Sequence, residues 1–292
     1  MTQSSQPAAT KHPTWDTVAI VGVGLIGGSI GIDLLQRGLA KHVVGIGRRE
    51  ESLRAAREVG ACTSTTVDLP RGLADAHLII VCTPVGRIAQ DVREAAGFAK
   101  IGALITDVGS TKGVIVGELD RELPHEAHYV GSHPLAGGEK AGPAAAVAGL
   151  FEGRTAVVTP GAMTRAEDVQ TIKTFWQSLG AKVLQMTPSE HDQLVAGASH
   201  LPHLVSAALV SATPPASLPL VAGGWIDTTR IAAGDAELWR DILLSNRANV
   251  LAALDRFDEE LAKFRQALEK DDAAGLTEIL RDAKRTRDAV GS

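Results

Sequence analysis

Val18-Ala19-Ile20-Val21-Gly22-Val23-Gly24-Leu25-Ile26-Gly27-Gly28 is an apolar run that ends in spaced glycines and continues into residues of helical character. The spacing is GxGxxG. Alone, that pattern is weak. Here it follows a strand candidate (Thr17–Val21), opens a helix candidate (Leu25–Arg37) and precedes a second strand candidate (His42–Gly45). That setting is the one a dinucleotide fingerprint requires. Gly22 permits the tight turn, Gly24 lets the backbone approach a pyrophosphate, and Gly27 lets the helix lie close to the strand. The first helical turn, with Leu25 and Ile26, offers unpaired N–H groups and the positive end of the helix dipole to phosphates. A glycine-rich turn without a ligand is the alternative.

Outward from this motif, short β-branched runs alternate with helical stretches. Further strand candidates are Leu78–Thr83, Leu104–Asp107, Tyr129–Ser132 and Thr155–Thr159, and further helix candidates are Glu51–Val59 and Gly86–Ala96. Alternation of this kind implies a parallel sheet covered by helices. The run Leu78–Cys82 is apolar throughout, as a strand buried on both faces should be. A helix–strand pair, Ala166–Leu179 then Lys182–Met186, closes the unit. The fold class is therefore α/β, with a doubly wound, Rossmann-type sheet.

From Thr187 the pattern changes. Thr187-Pro188-Ser189-Glu190 reads as a helix start, with a capping hydroxyl, Pro at the first helical position and an acidic first turn. No strand candidate follows. Pro214, Pro215 and Pro219 interrupt the helical region once, and Gly223-Gly224 interrupt it again. Val250, Leu254, Phe257, Leu261, Phe264 and Leu268 alternate steps of four and three, which predicts one long amphipathic helix over Glu237–Leu268. Its apolar face either pairs across a dimer or packs within its own domain. A last helix covers Ala273–Val290. The expected organisation is a polar tail over 1–14, a dinucleotide-binding domain over 15–187, and an all-α domain for substrate and dimerisation over 188–292.

Hydrophobic residues make up 45% of the 292 and charged residues 22%, enough to bury a large core. A net charge of −5 points to neither nucleic acid nor an anionic membrane surface. An anionic ligand therefore needs a local positive pocket. Cys62 and Cys82 are too far apart for a CxxC motif, and Cys82 reads as an inert thiol in a reducing compartment. The tail has no apolar core of a signal peptide, and a cytoplasmic location is expected.

Cofactor choice is read at the end of the second strand, where NAD binders usually hold an acidic residue for the ribose hydroxyls. This chain has Gly45-Ile46-Gly47-Arg48-Arg49-Glu50. Gly47 occupies the acidic position, and Arg48 or Arg49 can hold a 2′-phosphate by charge-assisted hydrogen bonds. NADP is the expected cofactor. NAD, with Glu50 on the ribose and the arginines solvated, is the alternative. Cys82-Thr83-Pro84 follows another strand at the same edge and can border the cofactor cleft.

Four more segments carry polar chemistry. They are Asp107-Val108-Gly109-Ser110-Thr111-Lys112-Gly113, then Gly131-Ser132-His133-Pro134-Leu135-Ala136-Gly137-Gly138-Glu139, Ser199-His200-Leu201-Pro202-His203, and Asp227-Thr228-Thr229-Arg230-Ile231-Ala232. In this order, after a dinucleotide fingerprint, they resemble the prephenate/arogenate dehydrogenase family from about Val18 to the last long helix. The resemblance implies oxidative decarboxylation of a cyclohexadienol: hydride leaves the carbinol carbon for the nicotinamide, a base takes the hydroxyl proton, and the ring carboxylate departs as CO2. Prephenate is the expected substrate and arogenate the alternative, both small molecules of tyrosine biosynthesis.

The resemblance also assigns roles. His133 is the proton acceptor, a group whose pKa suits the task and whose help is worth about 10²–10⁴-fold. Otherwise it merely ends a strand before Pro134. Ser110 matches a serine that hydrogen-bonds near the catalytic His and the nicotinamide, or else stabilises its own turn. Lys112 is an ion-pair partner or an electrostatic contributor. Arg230 clamps the ring carboxylate with a planar guanidinium, or forms a surface salt bridge with Asp227 or Asp235. His203 contacts the substrate side chain, and Ser199 or His200 lines the site. His200 and His203, spaced i, i+3, lack further metal ligands at suitable spacing, so no metal is expected. Trp239 is an aromatic beside the site or a core residue. Gly138 stands where many relatives carry Thr or Ser, which leaves the reading of the substrate side chain open. A monofunctional homodimer joined through the C-terminal helices is expected, without an ACT-type or chorismate mutase domain. The competing readings are a β-hydroxyacid dehydrogenase relative and a non-catalytic nucleotide sensor. The former typically uses a Lys early in the second domain, and no lysine lies between Lys182 and Lys263.

Overall fold

The computed structural model describes residues 14–138 and 142–291. The tail expected over 1–14, apart from Thr14, lies outside the described residues, as do Glu139 and Ser292. The first half runs β1 (Trp15–Val21), α1 (Leu25–Gln36), β2 (Ala40–Ile46), α2 (Glu50–Glu58), β3 (Ser64–Thr66), α3 (Leu69–Leu73), β4 (Leu78–Val81), α4 (Ile88–Ala96), β5 (Leu104–Asp107), α5 (Gly113–Leu119) and β6 (His128–Pro134). Then come β7 (Thr155–Thr159), α6 (Ala166–Ser178) and β8 (Lys182–Gln185). The strands form one sheet in the order β3-β2-β1-β4-β5-β6-β7-β8.

The chain order reverses between β1 and β4. That is the topological switch point, where doubly wound folds bind ligands beyond the carboxyl ends of their strands. The strands from β3 to β6 are parallel. The sheet is not parallel throughout, however, because β7 runs antiparallel to β6. This also lengthens the strand expected over Tyr129–Ser132. Its start pairs with β5, whereas Gly131–Pro134 pair with β7, so His133 is held opposite Val157 inside the ladder.

Successive residues alternate between two cores. Val18, Ile20, Leu78 and Ile80 join Ile30, Leu34, Phe175 and Trp176 on the face covered by α1 and α6. Ala19, Ile79, Val81 and Ile105 join Ile88, Val92 and Val116 on the face covered by α4 and α5. All four residues of β4 are 0% exposed, which explains why that strand shows no polar alternation.

Beyond β8 only helices occur among the described residues: α7 (Pro188–Val195), α8 (Leu201–Ala212), α9 (Gly223–Thr229), α10 (Ala236–Ser245), α11 (Arg247–Glu269) and α12 (Ala273–Val290). Thr187 and Glu190 form a reciprocal capping box at the start of α7. A π turn, Ala196–His200, joins α7 to α8. Gly223 and Gly224 open α9; the interruption falls just before them. The helix expected over Glu237–Leu268 is two helices. Asn246 breaks it, with its backbone at φ −115°, ψ 26° and its side-chain amide drawn into a buried polar cluster. Ile242 and Trp239 of α10 pack into the core on the α4–α5 face, which seats the helical half over one side of the sheet.

Candidate active site

The nucleotide turn is built from close backbone approaches. Gly22 has φ +95°, and a Cβ there would stand 2.8 Å from the carbonyl oxygen of Cys82. A Cβ on Gly27 would meet the Gly22 oxygen at 2.4 Å. Gly24 is different: a Cβ there would meet no protein atom within 4 Å, so the space in front of it is open. Gly24, at the start of α1, makes no side-chain cap, and the first turn, with Leu25 and Ile26, holds no acidic residue. The Thr83 hydroxyl, in the loop beside this turn, is buried without a hydrogen-bond partner. An open, uncapped helix N-terminus beside an unpaired donor fits a bound pyrophosphate. Cys82 is half-buried, and burial pushes its thiol up, so it stays protonated. Pro84 is exposed at the rim.

At the end of β2, Gly47 has its Cα facing Leu53. Arg48 and Arg49 are exposed, and neither guanidinium has a partner among the described residues. Glu50 and Glu51 occupy the first turn of α2.

The carboxyl ends of β5 and β6 carry the polar chemistry. Asp107 is fully buried and pairs with the equally buried Lys112. It also accepts hydrogen bonds from the Gly109 N–H (2.8 Å), the Tyr129 hydroxyl (2.7 Å) and the Ser132 N–H (3.1 Å). Lys112 donates to the Ser132 carbonyl at 3.0 Å. Lys112 is thus an ion-pair partner that ties the β5 loop to β6. Burial lowers its pKa, and Asp107 offsets part of that. Ser110 sits half-buried on the same loop, and its side chain makes no hydrogen bond among the described residues.

His133 is half-buried at the end of β6. Its Nδ1 lies 2.9 Å from Nε2 of His191, and Nδ1 of His191 lies 2.8 Å from Oδ1 of Asp192. Burial, then the facing His191, Lys112 and His200, holds the His133 imidazole well below the ordinary histidine range. It is neutral at physiological pH and able to take a proton. Asp192 also accepts from the backbone N–H groups of Lys112 (2.7 Å) and Gly113 (2.8 Å), at the N-terminus of α5. Burial alone would raise this carboxyl. Hydrogen bonds from His191, Lys112 and Gly113 outweigh it and hold it below the usual range.

The Asn246 amide donates to the Asp192 carbonyl at 2.7 Å and meets Nδ1 of His200 at 3.2 Å. Burial pushes the His200 imidazole down to about 4. His200 stands edge-on to Trp239, and His203 stacks on the same indole with centroids 3.5 Å apart. The stack is close because Gly234 has no side chain; a Cβ there would meet Trp239 Nε1 at 2.7 Å and His203 Cε1 at 3.0 Å. Trp239 therefore packs both against the core and against the rings of His200 and His203. Nε2 of His200, Nδ1 of His203 and the Ser206 hydroxyl have no hydrogen-bond partner among the described residues. Ser199 is half-buried in the π turn. Arg230 is exposed and opens the 3₁₀ turn Arg230–Ala233, which leads to Gly234. The fold thus joins His133 to His200 and His203 through one hydrogen-bonded and stacked chain.

Residues 30–185 match the prephenate dehydrogenase nucleotide-binding domain, and 187–282 match the prephenate dehydrogenase dimerization domain. The chain belongs to the prephenate dehydrogenase family. Prephenate dehydrogenase of Bacillus subtilis is 37% identical over 282 residues, covering 94% of this chain and 76% of its own. Cyclohexadienyl dehydrogenase of Zymomonas mobilis is 32% identical, covering 94% of this chain and 95% of its own. The Aquifex aeolicus prephenate dehydrogenase structure, a complex with hydroxyphenyl propionate and NAD+, superposes with a TM-score of 0.88 at 30% identity. It covers 96% of this chain and 100% of its own.

In this prephenate dehydrogenase family member, sequence reasoning missed His191, Asp192 and Asn246, and gave Asp107 no role within its segment. The adjacent His191-Asp192 pair, two polar residues following a capping box, was the one local signal for them. Asn246 hides inside an amphipathic pattern that reads straight through it.

Proposed function

We propose that the protein catalyses oxidative decarboxylation of prephenate to 4-hydroxyphenylpyruvate, with NADP as hydride acceptor. The observation that carries this is His133: a neutral imidazole at the carboxyl edge of β6, with Nδ1 engaged and Nε2 left as the free nitrogen. The nucleotide turn ends β1, and β4 and β5 lie between it and β6. Three strand spacings of about 5 Å separate the two, a span suited to an extended dinucleotide. When bound, the nicotinamide supplies the hydride acceptor.

The chain's own residues do the rest. His133 takes the hydroxyl proton, and Ser110, on the neighbouring loop, hydrogen-bonds near it and the nicotinamide. Arg230 holds the ring carboxylate until it departs. His203 meets the substrate side chain, with Ser199 and His200 lining the pocket and Trp239 fixing the His203 ring. Gly22, Gly24, Leu25, Ile26 and Gly27 hold the pyrophosphate, and Cys82, Thr83 and Pro84 border it. The unpartnered Arg48 and Arg49 support NADP over NAD. Arogenate is the second reading for the substrate, because Gly138 is exposed and offers no hydroxyl to tell keto from amino.

We place the boundary between nucleotide-binding and helical domains at 187, supported by the end of the strands at Gln185. A homodimer through the C-terminal helices goes with this reading. The helical stretch Pro188–Ala212 has the length and mean hydropathy (1.3) of a membrane span, yet it falls within the match to a dimerization domain and is only 28% buried. A partner helix, not lipid, is the cover we assign to it. The work is assigned to the cytoplasm, where biosynthetic dehydrogenases draw their nucleotide.

Formation of reduced cofactor at 340 nm tests the reading, with prephenate or arogenate, NADP or NAD, and wild type or His133→Asn. Prephenate with NADP should give the highest kcat/KM, and His133→Asn should lose about 10²–10⁴-fold in kcat. A tenfold preference for NAD would remove the role of Arg48 and Arg49, and faster arogenate turnover would replace the substrate.

A further inference from the structure

We infer that His191 and Asp192 are positioning residues, which with His133 form a carboxylate–imidazole–imidazole chain that presents Nε2 of His133 unprotonated to the substrate. The inference rests on the reading of His133 as the proton acceptor and adds the device that fixes its tautomer.

The direction of the chain follows from donors and acceptors. The Asp192 carboxylate can only accept, so the hydrogen between it and His191 sits on His191 Nδ1, 2.8 Å away. In its neutral form His191 then has a lone pair at Nε2 and can only accept there. The hydrogen between the two rings, 2.9 Å apart, must therefore sit on His133 Nδ1. A neutral His133 with Nδ1 protonated carries its lone pair on Nε2. The hydrogen-bond order thus selects the reactive tautomer, as a carboxylate does for a catalytic imidazole in a hydrolase triad.

The scaffold is rigid at each link. His191 is 0% exposed and meets His133 edge to face, with centroids 5.1 Å apart. Asp192 is held by the Lys112 and Gly113 N–H groups at the start of α5, and its own carbonyl is held by Asn246. It therefore stays anionic and fixed. The titratable groups facing His133 are Lys112, which is paired with Asp107, and the imidazoles of His191 and His200. A charged His191 would repel a His133 imidazolium; a neutral one, backed by the Asp192 anion, accepts its Nδ1–H and stabilises it. During turnover the substrate O–H bond breaks and its proton goes to His133 Nε2, while the hydride leaves the same carbon for the nicotinamide and the C–CO2 bond breaks. The positive charge now on His133 is shared along hydrogen bonds to His191 and Asp192, with no proton passed to Asp192. The proton returns to solvent from Nε2 after product leaves.

The test combines imidazole 15N NMR of the full chain with kcat–pH profiles for wild type, His191→Phe, His191→Gln and His133→Asn. His133→Asn assigns the His133 signals. In wild type at neutral pH, His133 should show Nδ1 protonated and Nε2 not; the opposite tautomer overturns the inference without recourse to any variant. His191→Phe keeps ring size but removes the acceptor. It should mix the His133 tautomers, lower kcat by about 10²-fold with KM moved far less, and shift the acid limb of kcat to lower pH, because the imidazolium loses its support. His191→Gln, which can offer a carbonyl at the same place, should recover part of kcat and the limb. A folded His191→Phe with unchanged tautomer and unchanged acid limb contradicts the chain. Full turnover by His133→Asn contradicts instead the assignment of the base, and the wild-type tautomer still answers for the chain separately.

Discussion

Gly24 and Gly27 lie three residues apart in one motif, yet the structure asks different things of them. A Cβ on Gly27 would strike the Gly22 carbonyl oxygen at 2.4 Å, a backbone atom that cannot move aside cheaply. A Cβ on Gly24 would strike nothing in the protein. Gly27→Ala should therefore cost folding stability, about 1–3 kcal/mol. Gly24→Ala should leave the melting temperature in place and weaken the cofactor about tenfold, about 1.4 kcal/mol of lost approach. Urea melts with and without NADP, together with cofactor titration, separate the two. A destabilised Gly24→Ala would mean that the open space is needed by the fold and not by the ligand. Similar logic applies to Gly234, whose missing Cβ admits the Trp239–His203 stack.

Among the elements, the strands and helices of the nucleotide half were largely legible. Apolar runs such as Leu78–Val81 allow only burial on both faces, and their alternation with helices leaves little choice of topology. The reversal at β7 was not legible, since a strand's sequence does not state the direction of its neighbour. The break between α10 and α11 was hidden for another reason. Asn246 keeps the apolar register and its backbone hydrogen bonds with Ile242 and Val250, while its side-chain amide reaches Asp192 and His200, partners 54 and 46 residues away. The same limit explains the site. His133, Ser110 and the glycines announce themselves by local motif. Asp192 acts by capping α5 with a carboxylate from another element, and only tertiary structure reveals such a contact. The π turn at Ala196–His200 likewise shifts His200 toward Asn246 and the indole without leaving a mark in the periodicity.

Taken as a molecule, the helical half is fastened to the sheet through buried polar contacts, and these set its response to pH. His133, His200 and His203 all have their pKa values lowered by burial, that of His200 to about 4. Unfolded, each would bind a proton near pH 6.5. Their stability contribution is complete above that value and is lost as pH falls from about 6.5 toward their folded values, by up to about 1.4 kcal/mol per pH unit per group. Asp33, raised by burial, works in the opposite sense, and Asp192, held low, gives way only below the carboxylate range. Three imidazoles outweigh one carboxyl, so urea midpoints should fall between pH 7 and pH 5. A midpoint that is flat or rises over that interval would contradict the buried neutral histidines. Leu194, Leu244 and Leu251 of the helical half are each more than half exposed on the single chain.

Product stoichiometry is the most direct measurement. Prephenate and NADP are mixed with the enzyme, and NADPH, CO2 and 4-hydroxyphenylpyruvate are quantified in the same reaction. Oxidation coupled to loss of the ring carboxylate predicts all three in equal amounts. NADPH formed without CO2, or no turnover by a protein that still binds NADP, would contradict it.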